Sequence, residues 1–176
     1  MKDLGGMGEK DEATVETILS KFLLDYASVT SFSEHSETEK KTAWAGLMET
    51  VERSPSPCLQ EKALMCCRIL SRDKTGLNDL VENRHVDLLL LRSGISGSTE
   101  PNHGVRFEAK KVLSNLIHQS TTVQAYCTTN GFLEKIVKNI EANKEKFHYI
   151  YPILTIIIDK TFQGLNHVSR KESMYS

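Results

Sequence analysis

The strongest constraint on the fold is a helical unit that occurs twice in the chain. Residues 61–73 form an apolar helical pattern followed by a polar turn, and residues 108–120 repeat it 47 residues later. A second apolar helix follows each copy, at residues 86–91 and 132–140. Units of two or three helices that recur every ~40–47 residues are the sequence signature of armadillo and HEAT solenoids. The pattern therefore predicts an all-α helical solenoid of about three repeat units.

The rest of the chain divides into one repeat domain and two short polar ends. Residues 1–11 are polar and contain glycine, so we expect them to be disordered, and residues 167–176 form a polar tail. Residues 12–166 make up the armadillo-like helical repeat domain, whose first amphipathic helix is expected at residues 12–27. Glycines, a proline and small polar residues predict a long loop at residues 93–105.

Local signals indicate where several helices begin and end. Ser36 and Glu39 match a capping box, which predicts a helix that begins at this point. Pro57 is well placed as the first residue of the next helix. Thr121, with a glutamine three residues later, predicts a second capping box. Gly131 follows an asparagine and predicts a left-handed helix terminus.

A third repeat unit is expected to begin at Phe147, and its last hydrophobic helix has no later helix to cover it. A solenoid of this kind needs about three units and a polar cap at each end. We therefore expect one of two things: either the exposed C-terminal repeat docks or dimerises, or the chain is a truncated part of a longer protein.

Composition argues against nucleic-acid and membrane partners. The formal net charge is −1 at pH 7, which provides no overall basic field. No run approaches the roughly 18–20 apolar residues of a membrane span. The four cysteines include no C-x-x-C pair and favour buried, reduced thiols in a cytosolic protein. We expect a cytoplasmic protein with no nucleic-acid partner and no stable membrane insertion.

Enzymatic chemistry has no support in the sequence. The six histidines are scattered, with no pair at i, i+4 and no H-E-x-x-H motif. A phosphate-binding glycine loop and a G-x-S-x-G nucleophile elbow are also missing. We expect no metal, no cofactor and no catalysis by side chains, so the chain is not predicted to be an enzyme.

Polar residues inside the two copies are the candidates for partner binding. Arg68 and Arg72 are four residues apart, which places them on one face of a helix. Asn115 occupies the position equivalent to Arg68 in the second copy, and Lys110 and Lys111 lie one turn before it. Equivalent positions of a solenoid line up along one surface, where Arg and Asn could hold an extended or helical peptide.

A purely structural interpretation of these residues is also open at this point. Arg72 could cap the C-terminus of its own helix and pair with Asp73 or Glu61 on a solvated face. From the residues alone, this second interpretation is the stronger one.

The segment Arg68-Ile-Leu-Ser-Arg-Asp-Lys74 resembles the synembryn family, the "resistance to inhibitors of cholinesterase" proteins. The second copy, at residues 108–117, looks like the repeat that follows in that family. A phenylalanine-containing segment before Ser36 and the helix after it are similar to the family's acidic N-terminal part. The resemblance covers about residues 12–160.

This resemblance implies a right-handed armadillo-type solenoid and a protein partner. Family members are cytosolic chaperones and guanine-nucleotide exchange factors for heterotrimeric G-protein alpha subunits, and the cell cortex is a second expected location. Their concave face takes the C-terminal helix of the alpha subunit. Arg68, Arg72 and Asn115 match family positions that line this face, so the resemblance reverses the preference and favours binding. Lys110, one turn before Asn115, is the fourth predicted partner-binding residue.

Two departures from the family pattern limit this expectation. The third unit has Tyr149, Tyr151 and Pro152 where the family carries an acidic and a basic residue. Family members also have many further repeats, which puts the exchange activity of this chain in question even where peptide binding survives. The rival hypothesis is a generic armadillo-repeat scaffold with an unrelated protein partner.

Overall fold

The computed structural model describes residues 1–97 and 102–141 of the chain. An N-terminal 3₁₀ segment, Lys2–Glu9, precedes the α-helices. These are α1 (Glu12–Tyr26), α2 (Glu37–Arg53), α3 (Pro57–Leu70), α4 (Leu77–Leu80), α5 (Asn83–Arg92), α6 (His103–Gln119), α7 (Thr121–Thr129) and α8 (Phe132–Glu141). Within these residues no strand occurs, which confirms the all-α prediction for this part of the chain. The armadillo or HEAT solenoid stays a prediction.

Several expectations fall outside the described residues. These are the third repeat unit at Phe147, the departures at Tyr149, Tyr151 and Pro152, and the tail at 167–176.

Side-chain caps explain where the first helices begin. Ser36 Oγ accepts a hydrogen bond from the main-chain N–H of Glu39 at 3.2 Å, and the Glu39 carboxylate accepts one from Ser36 N at 3.1 Å. This is the capping box predicted before α2. Pro57 is the first residue of α3, as expected. These local rules hold because a cap satisfies N–H groups that the first helical turn leaves without partners.

Two predicted boundaries need correction. Helix α6 begins at His103, so the loop expected to reach residue 105 ends earlier. The reason is Asn102, whose Oδ1 accepts a hydrogen bond from Val105 N at 3.0 Å. At α7 the cap is Ser120, whose Oγ accepts a hydrogen bond from Val123 N at 3.2 Å, so Thr121 is the first helical residue.

The N-terminal segment differs from the predicted disorder. Leu4 and Met7, three residues apart, are each only 1% exposed, and the 3₁₀ segment packs on α2. Gly46 of α2 allows this approach, because a Cβ at that position would collide with the carbonyl oxygen of Leu4. Burial of Leu4 and Met7 therefore accompanies the packing of this segment on the core.

Helix α3 is the central element of the unit formed by residues Met1–Val123. It contacts α1, α2 and α6, and α6 in turn contacts α5. The two copies recognised in the sequence are therefore neighbours in space. Their fully buried apolar side chains include Leu64 of α3 and Leu116 of α6.

The second compact unit is formed by residues Gln124–Ser176, of which the structure describes the end of α7 and α8. Gly131 has a φ of +67°, the left-handed conformation predicted for this helix terminus. Asn130 Nδ2 donates to the carbonyl oxygen of Tyr126 at 2.8 Å, which satisfies an acceptor in the last turn of α7.

Three of the four cysteines are buried, as expected, whereas Cys58 at the start of α3 is exposed. Cys66 and Cys67 are fully buried in α3 and carry no disulfide. Burial raises the pKa of the Cys66 thiol to about 12. Its thiol lies 3.9 Å from the carbonyl oxygen of Leu19 in α1. These two cysteines act as small core residues in the contacts of α3.

A buried Trp–His pair joins α2 to α5. Trp44 Nε1 donates to His85 Nδ1 at 3.2 Å, and the main-chain N–H of Glu82 donates to the same nitrogen at 3.2 Å. Both bonds require Nδ1 to be unprotonated. His85 is only 5% exposed, and burial lowers its pKa. The negative charges of Glu82 and Glu52 raise the pKa of His85 by smaller amounts, while the positive charge of Arg84 lowers it further.

We expect this pair to make the fold sensitive to acid. The unfolded state has an ordinary histidine pKa near about 6.5, so below that pH it binds more protons than the folded state. The contribution of His85 should therefore be complete above about pH 6.5 and be lost as the pH falls, by at most ~1.4 kcal/mol per pH unit. Urea unfolding between about pH 7.5 and 5.5 measures the slope. His85→Gln should flatten it, and the exposed His103→Gln should not. Equal slopes in all three proteins would contradict this role.

Candidate functional site

Of the residues predicted for partner binding, Arg68, Arg72 and Asn115 lie around the C-terminal end of α3 and the middle of α6. We define the α3–α6 face as the surface formed by these three residues and Lys111, which shares the carboxylate of Glu108 with Arg68. Arg68 lies in the last turn of α3, and Lys111 and Asn115 lie on α6. The face is cationic, since three of its four residues are Lys or Arg.

The spacing of Arg68 and Arg72 predicted that both lie on one face of a helix, and this prediction is wrong. Helix α3 ends at Leu70, and Arg72 follows it. Burial lowers the pKa of Arg72, and the positive charge of Arg68 adds a smaller effect in the same direction. The two cations are thus presented from a helix end and the turn that follows it.

The contacts of Arg72 also differ from the structural interpretation, in which this residue caps its own helix. Its Nη1 donates to the carbonyl oxygen of Ala27 at 2.8 Å and to that of Val29 at 3.3 Å. These carbonyls belong to the end of α1 and the following loop, where a helix leaves acceptors unsatisfied. Arg72 therefore ties the end of α1 to that of α3, instead of capping its own helix.

Arg68 is held from α6 by a buried carboxylate. Its Nε donates to Glu108 Oε2 at 2.9 Å, while Lys111 Nζ lies 2.6 Å from Glu108 Oε1. The Glu108 side chain is 7% exposed, and those of Arg68 and Lys111 are each 26% exposed. The Lys111 ammonium also lies 4.0 Å from the centroid of the Phe107 ring. This cluster fixes both cations at the edge of the core.

Asn115 lies beside Arg68, as the equivalence of the two copies predicted. Asn115 Nδ2 is 3.3 Å from the carbonyl oxygen of Arg68 and 3.1 Å from Ser71 Oγ. Gln119, one turn later, donates through Nε2 to the carbonyl oxygen of Ser71 at 2.9 Å. The side-chain amide groups of Asn115 and Gln119 thus donate hydrogen bonds to acceptors at the C-terminal end of α3. The Asn115 carbonyl oxygen is the atom of this side chain that suits a ligand N–H.

Lys110 is half-buried on α6, next to Lys111. Its membership of the partner-binding set stays a prediction.

Sequence reasoning missed Glu108 and Gln119 as members of this region. Glu108 stands three residues after the buried Val105 and four before the buried Val112, so it occupies the apolar stripe of α6. A carboxylate in such a stripe requires cationic partners. That signal could have identified Glu108 as the residue that pairs with Arg68.

Asp73, the acidic residue of the Arg68–Lys74 string, serves the fold. Its two carboxylate oxygens accept hydrogen bonds from Phe32 N at 2.8 Å and Thr75 N at 2.9 Å. Lys40 Nζ lies 3.6 Å away. Burial alone would raise the pKa of Asp73, but these donors bring it below its ordinary value. The string therefore combines residues of the α3–α6 face with a structural anchor.

Within residues 1–97 and 102–141, no three His, Cys, Asp or Glu side chains are grouped so that they could hold a metal ion. No helix in the same part of the chain has the length and apolar character to cross a membrane.

The described residues thus define an all-helical protein with a cationic face between α3 and α6. The chain is similar to Chaperone Ric-8A of Bos taurus, with 27% identity over 138 residues, or 76% of this chain and 26% of that protein. It is also similar to Chaperone Ric-8A of Gallus gallus, with 26% identity over 144 residues, or 79% of this chain and 26% of that protein. No family model matches the chain.

These similarities support a distant relationship to the proteins that the Arg68–Lys74 segment resembles. The chain spans about a quarter of the length of the curated relatives it matches.

Proposed function

We propose that this chain binds the alpha subunit of heterotrimeric G proteins through the α3–α6 face, as a chaperone or exchange-factor type of regulator. The supporting observation is the contact of Asn115 with Arg68. These positions are 47 residues apart in sequence and equivalent in the two copies, and they lie side by side in space. A row of equivalent polar positions is what a solenoid presents to an elongated partner.

The charge of the face suits the C-terminal helix of the G-protein partner. A helix C-terminus carries a partial negative charge and unsatisfied carbonyl groups, and a chain terminus adds a carboxylate. Arg68, Arg72 and Lys111 would supply the positive charge and the N–H donors. Capture of this helix by an armadillo-type concave surface requires no side-chain catalysis, so we propose that the chain acts by binding, in the cytoplasm.

The names of the relatives support the chaperone part of this proposal, since both are called Chaperone Ric-8A. The relatives are about four times as long as the matched region. We propose helix capture for this region and treat nucleotide exchange as a separate activity to be measured.

An intact alpha subunit tests the proposal. The nucleotide-free form should co-elute with the chain in size-exclusion chromatography, and a synthetic peptide with its C-terminal sequence should compete. Arg68→Ala should weaken the complex, by about 1–3 kcal/mol if its guanidinium makes one charge-assisted hydrogen bond.

The matched control is Arg53→Ala, since Arg53 lies on α2 with its side chain 75% exposed and pairs only with Glu49 among the contacts described. Equal weakening by both variants, or a complex that the peptide does not displace, would contradict the proposal.

A further inference from the structure

Glu108 is the buried carboxylate at the centre of the α3–α6 face. The residue is 5% exposed, and its two oxygens contact different cations from different directions. Arg68 reaches it from α3, 40 residues earlier in the chain, and Lys111 reaches it from the next turn of α6. Each of the two oxygens of Glu108 therefore already has one charged donor.

The contact with Glu108 uses only one of the N–H groups of the Arg68 guanidinium. The guanidinium is planar and carries five N–H donors in a fixed geometry. Glu108 takes the Nε–H, as the 2.9 Å contact shows. Holding Nε restricts the orientation of the group and leaves the edge formed by the two Nη atoms, which is separate from the Nε–H, without a contact to Glu108. That edge can bind a second carboxylate with two parallel hydrogen bonds.

The charge balance of the cluster also favours a second carboxylate. Glu108 supplies one negative charge, whereas Arg68 and Lys111 supply two positive charges. The surroundings of the guanidinium therefore stay positive after Glu108 is paired. A carboxylate that approaches the face is attracted even though one is already present.

We propose that Glu108 is a positioning residue, which holds Arg68 by its Nε so that the Nη edge selects partner segments by their carboxylates. This inference rests on the proposed function for the existence of a peptide partner. It assigns to the face a preference for an acidic peptide over an otherwise identical neutral one.

The test compares two fluorescent peptides that share the C-terminal sequence of a G-protein alpha chain. The first carries its natural carboxylates, and the second has Asn and Gln in place of Asp and Glu and an amidated end. The wild-type chain should bind the acidic peptide about tenfold or more tightly, as expected for a charge-assisted hydrogen bond. In Glu108→Gln the ratio of the two dissociation constants should fall to within about threefold of one.

The opposite result has a clear meaning. If Glu108 only neutralised positive charge, Glu108→Gln would make the face more positive and increase the preference for the acidic peptide. A ratio that rises or stays unchanged would overturn the proposal. Glu16→Gln is the matched control, because Glu16 also pairs with a lysine, Lys62 at 2.8 Å, but lies on α1 with its side chain 53% exposed. Its ratio should equal that of the wild type.

A second measurement separates this inference from the proposed function. The Nε–H of Arg68 should exchange slowly with water in nuclear magnetic resonance spectra of the chain without peptide, and fast in Glu108→Gln. Fast exchange of this N–H in the folded wild type overturns the positioning role of Glu108, regardless of the result of the peptide titrations. If neither peptide binds a folded wild-type chain, the proposed function and the carboxylate selection fail together, while slow exchange would still establish the contact.

Discussion

The Leu113→Ala variant should lose about 2–5 kcal/mol of unfolding free energy, the cost of deleting a buried leucine side chain in a packed core. Leu113 is 2% exposed and lies on α6, which packs against both α3 and α5. The substitution removes apolar contacts and leaves a cavity that the neighbouring helices fill only in part. Urea unfolding followed by circular dichroism measures the change.

Leu24→Ala is the matched control for this experiment. Leu24 also lies in a helix, α1, but is 81% exposed. Its replacement should change the unfolding free energy by less than about 0.5 kcal/mol. If the two variants have the same stability, the assignment of the second copy to the core of the fold is wrong.

Asp73→Ala should destabilise the chain by about 3–5 kcal/mol, because it breaks a buried ion pair from one side. The side chains of Asp73 and Lys40 are 7% and 9% exposed, so the lysine would remain as an uncompensated charge. The main-chain N–H of Phe32 would lose its acceptor as well, and Phe32 is only 2% exposed. Thermal and urea unfolding should both show the loss.

Two further variants test the reason for this loss. Asp25→Ala removes an exposed carboxylate from α1 and should leave stability within about 0.5 kcal/mol of the wild type. Lys40→Met combined with Asp73→Ala should recover part of the loss, since the pair is then replaced by apolar groups. A double variant no more stable than Asp73→Ala would show that the hydrogen bonds from the main-chain N–H groups of Phe32 and Thr75, and not the ion pair, carry the effect.

The helical part of the fold was accessible from sequence because its signals are local. Apolar spacing located α1, and a side-chain cap and a proline located α2 and α3. The neighbouring positions of Arg68 and Asn115 followed from the equivalence of the two copies. Such signals need only the residues within one or two turns, or one repeat.

The errors arose where a residue acts through a distant partner. The N-terminal segment was predicted to be disordered because it holds few apolar residues, but Leu4 and Met7 are buried. Its main chain can approach α2 because Gly46 has no Cβ to collide with the carbonyl oxygen of Leu4. Arg72 bonds to carbonyl groups 43 and 45 residues earlier, which no helical spacing reveals. Tertiary contacts of this kind decide the role of a polar residue more than its own helix does.

The chemistry of the candidate site shows the same division. Its cationic residues could be predicted from residue type and spacing. The carboxylate that pairs with Arg68 and Lys111 could not. Glu108 looks like an ordinary helical residue until α3 brings Arg68 to within 2.9 Å of it. The sequence therefore indicated the charge of the face, while the structure indicates which Arg68 donor is used by Glu108 and which donors could bind a partner.

Direct titration is the most direct test of the central claim, that the α3–α6 face holds the C-terminal helix of a G-protein alpha chain. A fluorescent peptide of that C-terminus is titrated into the purified chain and into Arg68→Glu/Arg72→Glu, with circular dichroism to establish that both are folded. The account predicts saturable binding to the wild type that is lost in the double variant. Equal binding by both proteins, or no binding by a folded wild type, would contradict it.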